Sequence, residues 1–123
     1  IEVIAPVRLT TARNNVNESG GSDVTIDKFY FPSRPNLYMG KENGIDEGPE
    51  WQRYSAYSDK DAANTGADSA RIKRLNGNPQ WYWIRTPYAG YASYVRHVDT
   101  DGSLNGGNAN NGGGGVAPAC TIA

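Results

Sequence analysis

Cysteine and histidine are nearly absent from this chain: Cys120 and His97 stand alone among 123 residues. One cysteine excludes an internal disulfide framework and any multi-cysteine metal site. Its neighbours Ala119 and Ile122 are apolar, which favours a buried thiol over a nucleophile. A reactive thiolate needs an electropositive setting and usually a histidine partner. No HExxH, GxSxG or CxxC is present, so no enzyme, no catalytic residue and no cofactor are expected. Charge of one sign is also lacking: the net charge is −1 and the pI about 5.8. No broad basic field exists to hold a nucleic-acid backbone, and no nucleic-acid partner is expected. The one basic cluster, Arg71, Lys73 and Arg74, reads as a solvated face. Long apolar runs are missing too; none approaches the ~20 residues that span a bilayer, so membrane insertion is not expected.

What the chain does contain points to loops and strands. Apolar residues make up 37% and glycines number 15, a composition that fits one loop-rich, β-containing domain with a modest core. The first residue, Ile1, suggests a processed protein or a domain trimmed from something longer. Residues 1–26 read as an N-terminal strand and loop that could serve as a junction to such a longer protein. Glu2 to Leu9 is β-prone but interrupted by Pro6. Proline lacks the ladder donor, so an edge strand is expected. Residues 13–23 are polar and rich in Gly, Ser and Asn, a loop. Val24-Thr25-Ile26 and Phe29-Tyr30-Phe31 are strand-like, and Pro32 and Pro35 then stop regular structure. Trp51, Tyr54 and Tyr57 are spaced to form one helical or loop face on the core. Residues 58–70 are small and polar, a surface excursion, and Arg71 to Leu75 suits a short helix or a strand. Trp81 to Ile84 should be a buried strand and Tyr94 to Val98 another. Asp99-Thr100-Asp101-Gly102 marks a turn, and Val116 to Ile122 should close the sheet, with Pro118 at an edge or bulge.

Several motifs are incomplete. The Asp99–Gly102 turn resembles part of a calcium loop, but no Glu follows Glu50, and hard cations need several oxygen ligands. No metal site is expected. Gly112 to Gly115 shares only glycine content with a phosphate loop. Asn17-Glu18-Ser19 fits a glycosylation sequon that is frequent by chance. Trp51, Trp81 and Trp83 could stack sugars, though large aromatic clusters are more often core.

The last third uses a restricted alphabet. The fifteen Lys, Glu, Gln, Met and Trp residues all lie at or before Trp83. Those five amino acids are the ones an Asn codon cannot reach by changes at its two adenines alone. Asn, Gly, Tyr, Ser, His and Asp can all be reached, and they fill the tail. Tyr gives amphipathic contact area at low entropy cost, while Ser, Gly and Asn give adaptable hydrogen bonding, the mixture found in paratopes. The Asn/Gly stretch 105–115 could instead be a disordered linker, although the chain returns at once to an apolar segment.

Two motifs frame this tail: Trp81-Tyr82-Trp83-Ile84-Arg85-Thr86-Pro87 and Gly115-Val116-Ala117-Pro118-Ala119. Together they resemble the C-terminal module of many gut-bacterial and phage proteins, with its W-[WY]-[WL]-R-[ST]-P opening and G-V-[AR]-P-A ending. Asp27 to Arg34, Lys41 to Gly48 and Arg71 to Gly77 match the same pattern, so the resemblance covers roughly residues 27 to 123. Such modules are similar to the C-type-lectin fold, and some are variable proteins of diversity-generating retroelements, in which adenine-directed mutagenesis rewrites Asn codons. The resemblance implies an α+β fold with small antiparallel sheets and long loops. It implies a recognition (adhesin or receptor-binding) domain of a phage virion or bacterial surface protein, partnered by a host cell-surface protein or glycan. Other virion or surface-protein subunits, including further copies of the chain, are the remaining partners implied. The expected binding residues are Tyr88, Gly90, Tyr91, Ser93, Tyr94, His97, Asn105, Gly106, Gly107, Asn108, Asn110, Asn111, Gly112 and Gly113. Gly106, Gly107, Gly112 and Gly113 are candidates for rewritten Asn codons. The alternative is a structural virion role, in capsid decoration or tail assembly, without a specific ligand site. Formylglycine-generating enzymes have a similar fold, but their cysteine chemistry finds no match here.

Overall fold

The computed structural model describes residues 2–16, 20–49, 53–57 and 69–123. Among these residues there is no helix; nine strands form four small antiparallel sheets. The expected α+β class is therefore corrected to all-β. The segments with room for a helix are punctuated by residues that cannot extend one. Arg34–Tyr38 lies between Pro32 and Gly40 with Pro35 inside it, and it forms consecutive turns. Ser33 and Asn36 close these turns reciprocally: Ser33 N donates to Asn36 Oδ1 at 3.0 Å and Asn36 N to Ser33 Oγ at 3.3 Å. Trp51, the sequon and residues 58–68 lie outside the described residues.

Strands β1 (Ile4–Ala5) and β2 (Val7–Ala12) are separated by Pro6, as a residue without an N–H requires. β1 pairs with β9 (Thr121–Ile122), so the two ends of the chain meet. β2 pairs residue for residue with β3 (Ser22–Asp27). β4 (Lys73–Leu75) and β5 (Asn78–Gln80) form a hairpin whose turn, Asn76-Gly77, has φ of 53° and 83°. Positive φ at both turn residues is what a type I′ hairpin turn demands. The largest sheet is β6 (Tyr82–Pro87), β7 (Tyr94–Val98) and β8 (Leu104–Asn108) in that order. Its β6–β7 register shifts between Trp83 and Pro87, where the ladder is irregular. The Asn/Gly stretch that begins at 105 thus contributes a paired strand. The 116–122 segment does not join this sheet as a strand. Gly115 bridges Tyr82 in parallel, Ala119 bridges Tyr30, and β9 turns to β1.

Alternation along the strands fixes two faces. Tyr82 and Ile84 of β6 and Val98 of β7 point inward and pack with Leu37, Met39 and Tyr57. Trp81 and Trp83 occupy the opposite face and are only half-buried; the expectation that the whole 81–84 run is buried holds for its even positions alone. Two further expectations are corrected. Cys120 is exposed, because its segment runs along the surface toward β9. Arg71 is 1% exposed and not part of a solvated face. Its guanidinium donates to Leu37 O at 2.8 Å and Tyr38 O at 3.2 Å and lies 5.2 Å from the Tyr57 ring centre. Tyr82 completes the arrangement by donating its hydroxyl to Arg71 O at 2.7 Å. This cation helps to hold the irregular segment that contains Leu37 and Met39, because it satisfies carbonyls that no strand partner reaches.

Candidate functional site

The β6–β7 connection, Tyr88 to Ser93, is built from consecutive tight turns. Tyr91 N donates to Tyr88 O at 3.2 Å and Tyr94 N to Tyr91 O at 3.4 Å. Gly90, with φ 80°, supplies the left-handed residue the first turn needs. Tyrosines three residues apart are thereby gathered at one corner. Ring centres lie 5.0 Å apart for Tyr88–Tyr91, 5.8 Å for Tyr88–Tyr94 and 5.3 Å for Tyr91–Tyr94. The first two pairs are edge-to-face and the third is stacked, geometries that the aromatic quadrupole favours. Tyr91 is 54% exposed, and Tyr88 and Tyr94 are half-buried beside it.

Long-range contacts hold this corner. Asn14 Nδ2 donates to Tyr91 O at 3.0 Å and Gly90 N to Asn15 Oδ1 at 2.9 Å, so the connection after β2 clamps the tyrosine turn. Behind Tyr88, the Arg96 guanidinium stacks 3.7 Å from the ring centre. Arg96 is in turn gripped by the buried Glu42, through Nε at 2.7 Å and Nη2 at 2.8 Å, a bidentate pair. Arg34 bonds the same carboxylate at 3.0 Å. Burial by itself would raise the Glu42 carboxyl, but the bonds from Arg96 and Arg34 outweigh it and hold the group below its ordinary range. Gly106, opposite Arg96 on β8, lies under Tyr88; a Cβ there would come within 2.3 Å of the ring. Ser93 and Asn108 join the edge of the corner through a 3.2 Å bond.

The fourteen expected binding residues do not form one surface. Tyr88, Gly90, Tyr91, Ser93, Tyr94, Gly106 and Asn108 converge on the tyrosine corner. His97, Asn105 and Gly107 alternate to the other face of the sheet, where His97 pairs across from Trp83 and Asn105. There His97 lies 4.7 Å from Trp81 and 5.6 Å from Trp83, centre to centre, and the two indoles are 5.0 Å apart. Gly113 closes over Trp81 from the 110–115 loop, in which Asn110, Asn111 and Gly112 are exposed. Burial lowers the His97 pKa against the opposing pull of Asp99, whose Oδ1 lies 3.2 Å from Nδ1. Asp99 also accepts from Asn105 Nδ2 at 2.9 Å, and Asp101 accepts from Ser103 N at 2.9 Å, so both carboxylates serve the turn. Among the described residues no three His, Cys, Asp or Glu side chains gather to hold a metal ion.

The supporting residues Asn14, Asn15, Glu42 and Arg96 are not evident from the tail itself. Arg96 carried one signal: a charged residue on the same strand parity as the apolar Val98 must find a buried partner. Glu47, from the same loop as Glu42, is also buried and accepts from the Thr86 hydroxyl. Burial raises its carboxyl from 4.5 to about 7, against that hydrogen bond and the nearby Arg85 and Arg34.

Residues 2–123 match the profile of DUF6273, a domain of unknown function. The chain belongs to this family. No match was found among curated proteins or among solved structures.

Proposed function

We propose that this domain is a recognition module of a phage virion or bacterial surface protein, and that it presents the tyrosine corner to a host protein or glycan. The observation that carries this reading is the Tyr88–Tyr91–Tyr94 cluster: three mutually packed rings, partly open to solvent, on a turn clamped from behind by Asn14, Asn15 and Arg96. Rings already ordered by one another lose little entropy when a partner covers them. Binding energy at interfaces concentrates in such aromatic anchors. The tail alphabet and the two framing motifs, through their resemblance to variable display modules, support the same reading.

The test measures attachment of the labelled domain to candidate host cells and to a glycan array. Tyr91→Ala and Tyr94→Ala are expected to weaken binding by ~2 kcal/mol or more in at least one case, with the melting temperature nearly unchanged. Attachment that survives both changes yet disappears on Trp83→Ala would move the recognition surface to the opposite face of the sheet.

A further inference from the structure

A second concave site lies away from the tyrosine corner, between the β4–β5 hairpin and the Gly114–Ala117 segment. Its volume is about 460 Å³, within the range of small-molecule sites. Both walls are held in place. Gly115 N donates to Trp81 O at 2.8 Å and Trp83 N to Gly115 O at 3.1 Å, which docks the tail segment on β6. The other wall is the tight Asn76-Gly77 hairpin. Tyr82, between them, is fixed by its bond to Arg71 O at 2.7 Å.

The lining has one chemical character. Leu75 and Val116 flank the space and are 60% and 66% exposed, so each rim offers an uncovered aliphatic side chain. Lys73 and Arg74 supply two positive charges, and no acidic residue lines the space. Among the described residues Lys73 Nζ reaches only the Tyr57 hydroxyl, and Arg74 Nη1 only Gly77 O, both at 3.5 Å. Among the described residues neither has a carboxylate within ion-pair distance. Aliphatic walls with cations in the lining and no carboxylate beside them complement an apolar body that carries one anionic group. Arginine adds a planar fork matched to carboxylate, sulfonate or phosphate oxygens.

We propose that this cavity is a binding site for a small amphipathic anion, independent of the tyrosine surface. The apolar body lies between Leu75 and Val116, and the anionic group is received by Lys73 and Arg74.

Naphthalene-2-sulfonate is a suitable probe, with 2-naphthylmethanol and inorganic sulfate as matched halves, each titrated into the full chain and followed by amide NMR shifts. The sulfonate is expected to shift residues 73–75, 80–82 and 114–117, and to bind at least about tenfold more tightly than either half. Lys73→Gln with Arg74→Gln should weaken it at least about tenfold. Val116→Glu, at an exposed position, should abolish it without changing the melting temperature. Three results would overturn the proposal: equal binding of the neutral alcohol, equal binding of bare sulfate, or shifts that cluster outside the cavity. Absence of any shift at millimolar sulfonate would do the same. Tyr91→Ala should leave all of these readouts unchanged, which separates this site from the recognition surface.

Discussion

The two aromatic clusters on either side of the β6–β8 sheet are assembled in opposite ways. The tyrosine corner comes from one short segment, and successive turns bring its rings together. The Trp81–Trp83–His97 cluster comes from neighbouring strands and a returning loop, and glycines form its lid. A locally built cluster can change its side chains without disturbing a strand register. A cluster built across strands cannot, because each ring is also a packing surface for distant backbone. The first arrangement suits a display surface and the second a framework. The tyrosine corner still depends on the framework, through the bonds from Asn14 and Asn15 and through the Arg96–Glu42 pair behind Tyr88.

That dependence gives the largest expected effect. Glu42→Ala would leave Arg96 and Arg34 without their shared carboxylate in a buried setting. Removing one partner of a buried pair costs about 3–5 kcal/mol. Urea unfolding should show a loss of that size, and Tyr88 should lose its fixed position over Gly106. A loss below about 1 kcal/mol would mean that solvent compensates the two arginines and that the corner stands on its own turns.

A second effect, nearly as large, depends on pH. Glu47 holds its proton more tightly in the folded protein, with a value of about 7 against an ordinary 4.5. Protonation therefore favours folding. The contribution is intact below pH 4.5 and is lost as pH rises toward 7, a span of about 3 kcal/mol. Glu47→Gln stays neutral and should flatten this slope, leaving the variant the more stable protein at pH 8. His97, lowered by burial, acts with the opposite sign and loses stability as pH falls. The difference between wild type and Glu47→Gln across the pH series is therefore the informative measurement, and identical slopes would place the Glu47 carboxyl in contact with water.

The legible parts of this fold were those in which local chemistry decides the conformation. Pro6 divided the first strand, Asp99-Thr100-Asp101-Gly102 turned the chain, and the run Tyr94 to Val98 was expected as a strand and forms β7. The tyrosines could be grouped by their spacing, although their stacking depends on turns whose φ values only the structure gives. Three features escaped because long-range contacts decide them. Arg71 looks like a surface charge beside Lys73 and Arg74, and only the distant carbonyls of Leu37 and Tyr38 explain its burial. Trp81 and Trp83 look like core, yet the sheet's inner face is filled by Tyr82 and Ile84 and the indoles are left outside. The expected binding residues formed one list in the sequence, but strand parity sends them to two faces. The helix content implied by resemblance to the C-type-lectin fold has no counterpart among the described residues.

The smallest effects test the contrast between the clusters most directly. At Gly114 a Cβ would come within 2.4 Å of Trp83 Nε1 and 2.6 Å of the Trp81 ring. Those rings have strands on one side and the loop on the other, so Gly114→Ala should cost about 1–3 kcal/mol as an overpacking change. Gly112, two residues earlier, meets nothing within 4 Å, and Gly112→Ala should stay within about 0.5 kcal/mol. Tyr91→Ala should behave like Gly112→Ala, because its ring is 54% exposed and its backbone bonds to Asn14 and Tyr88 survive the change. Thermal melts of the three variants give the ranking. If Tyr91→Ala costs as much as Gly114→Ala, the tyrosine corner is framework like its counterpart, and the division between a display face and a structural face fails.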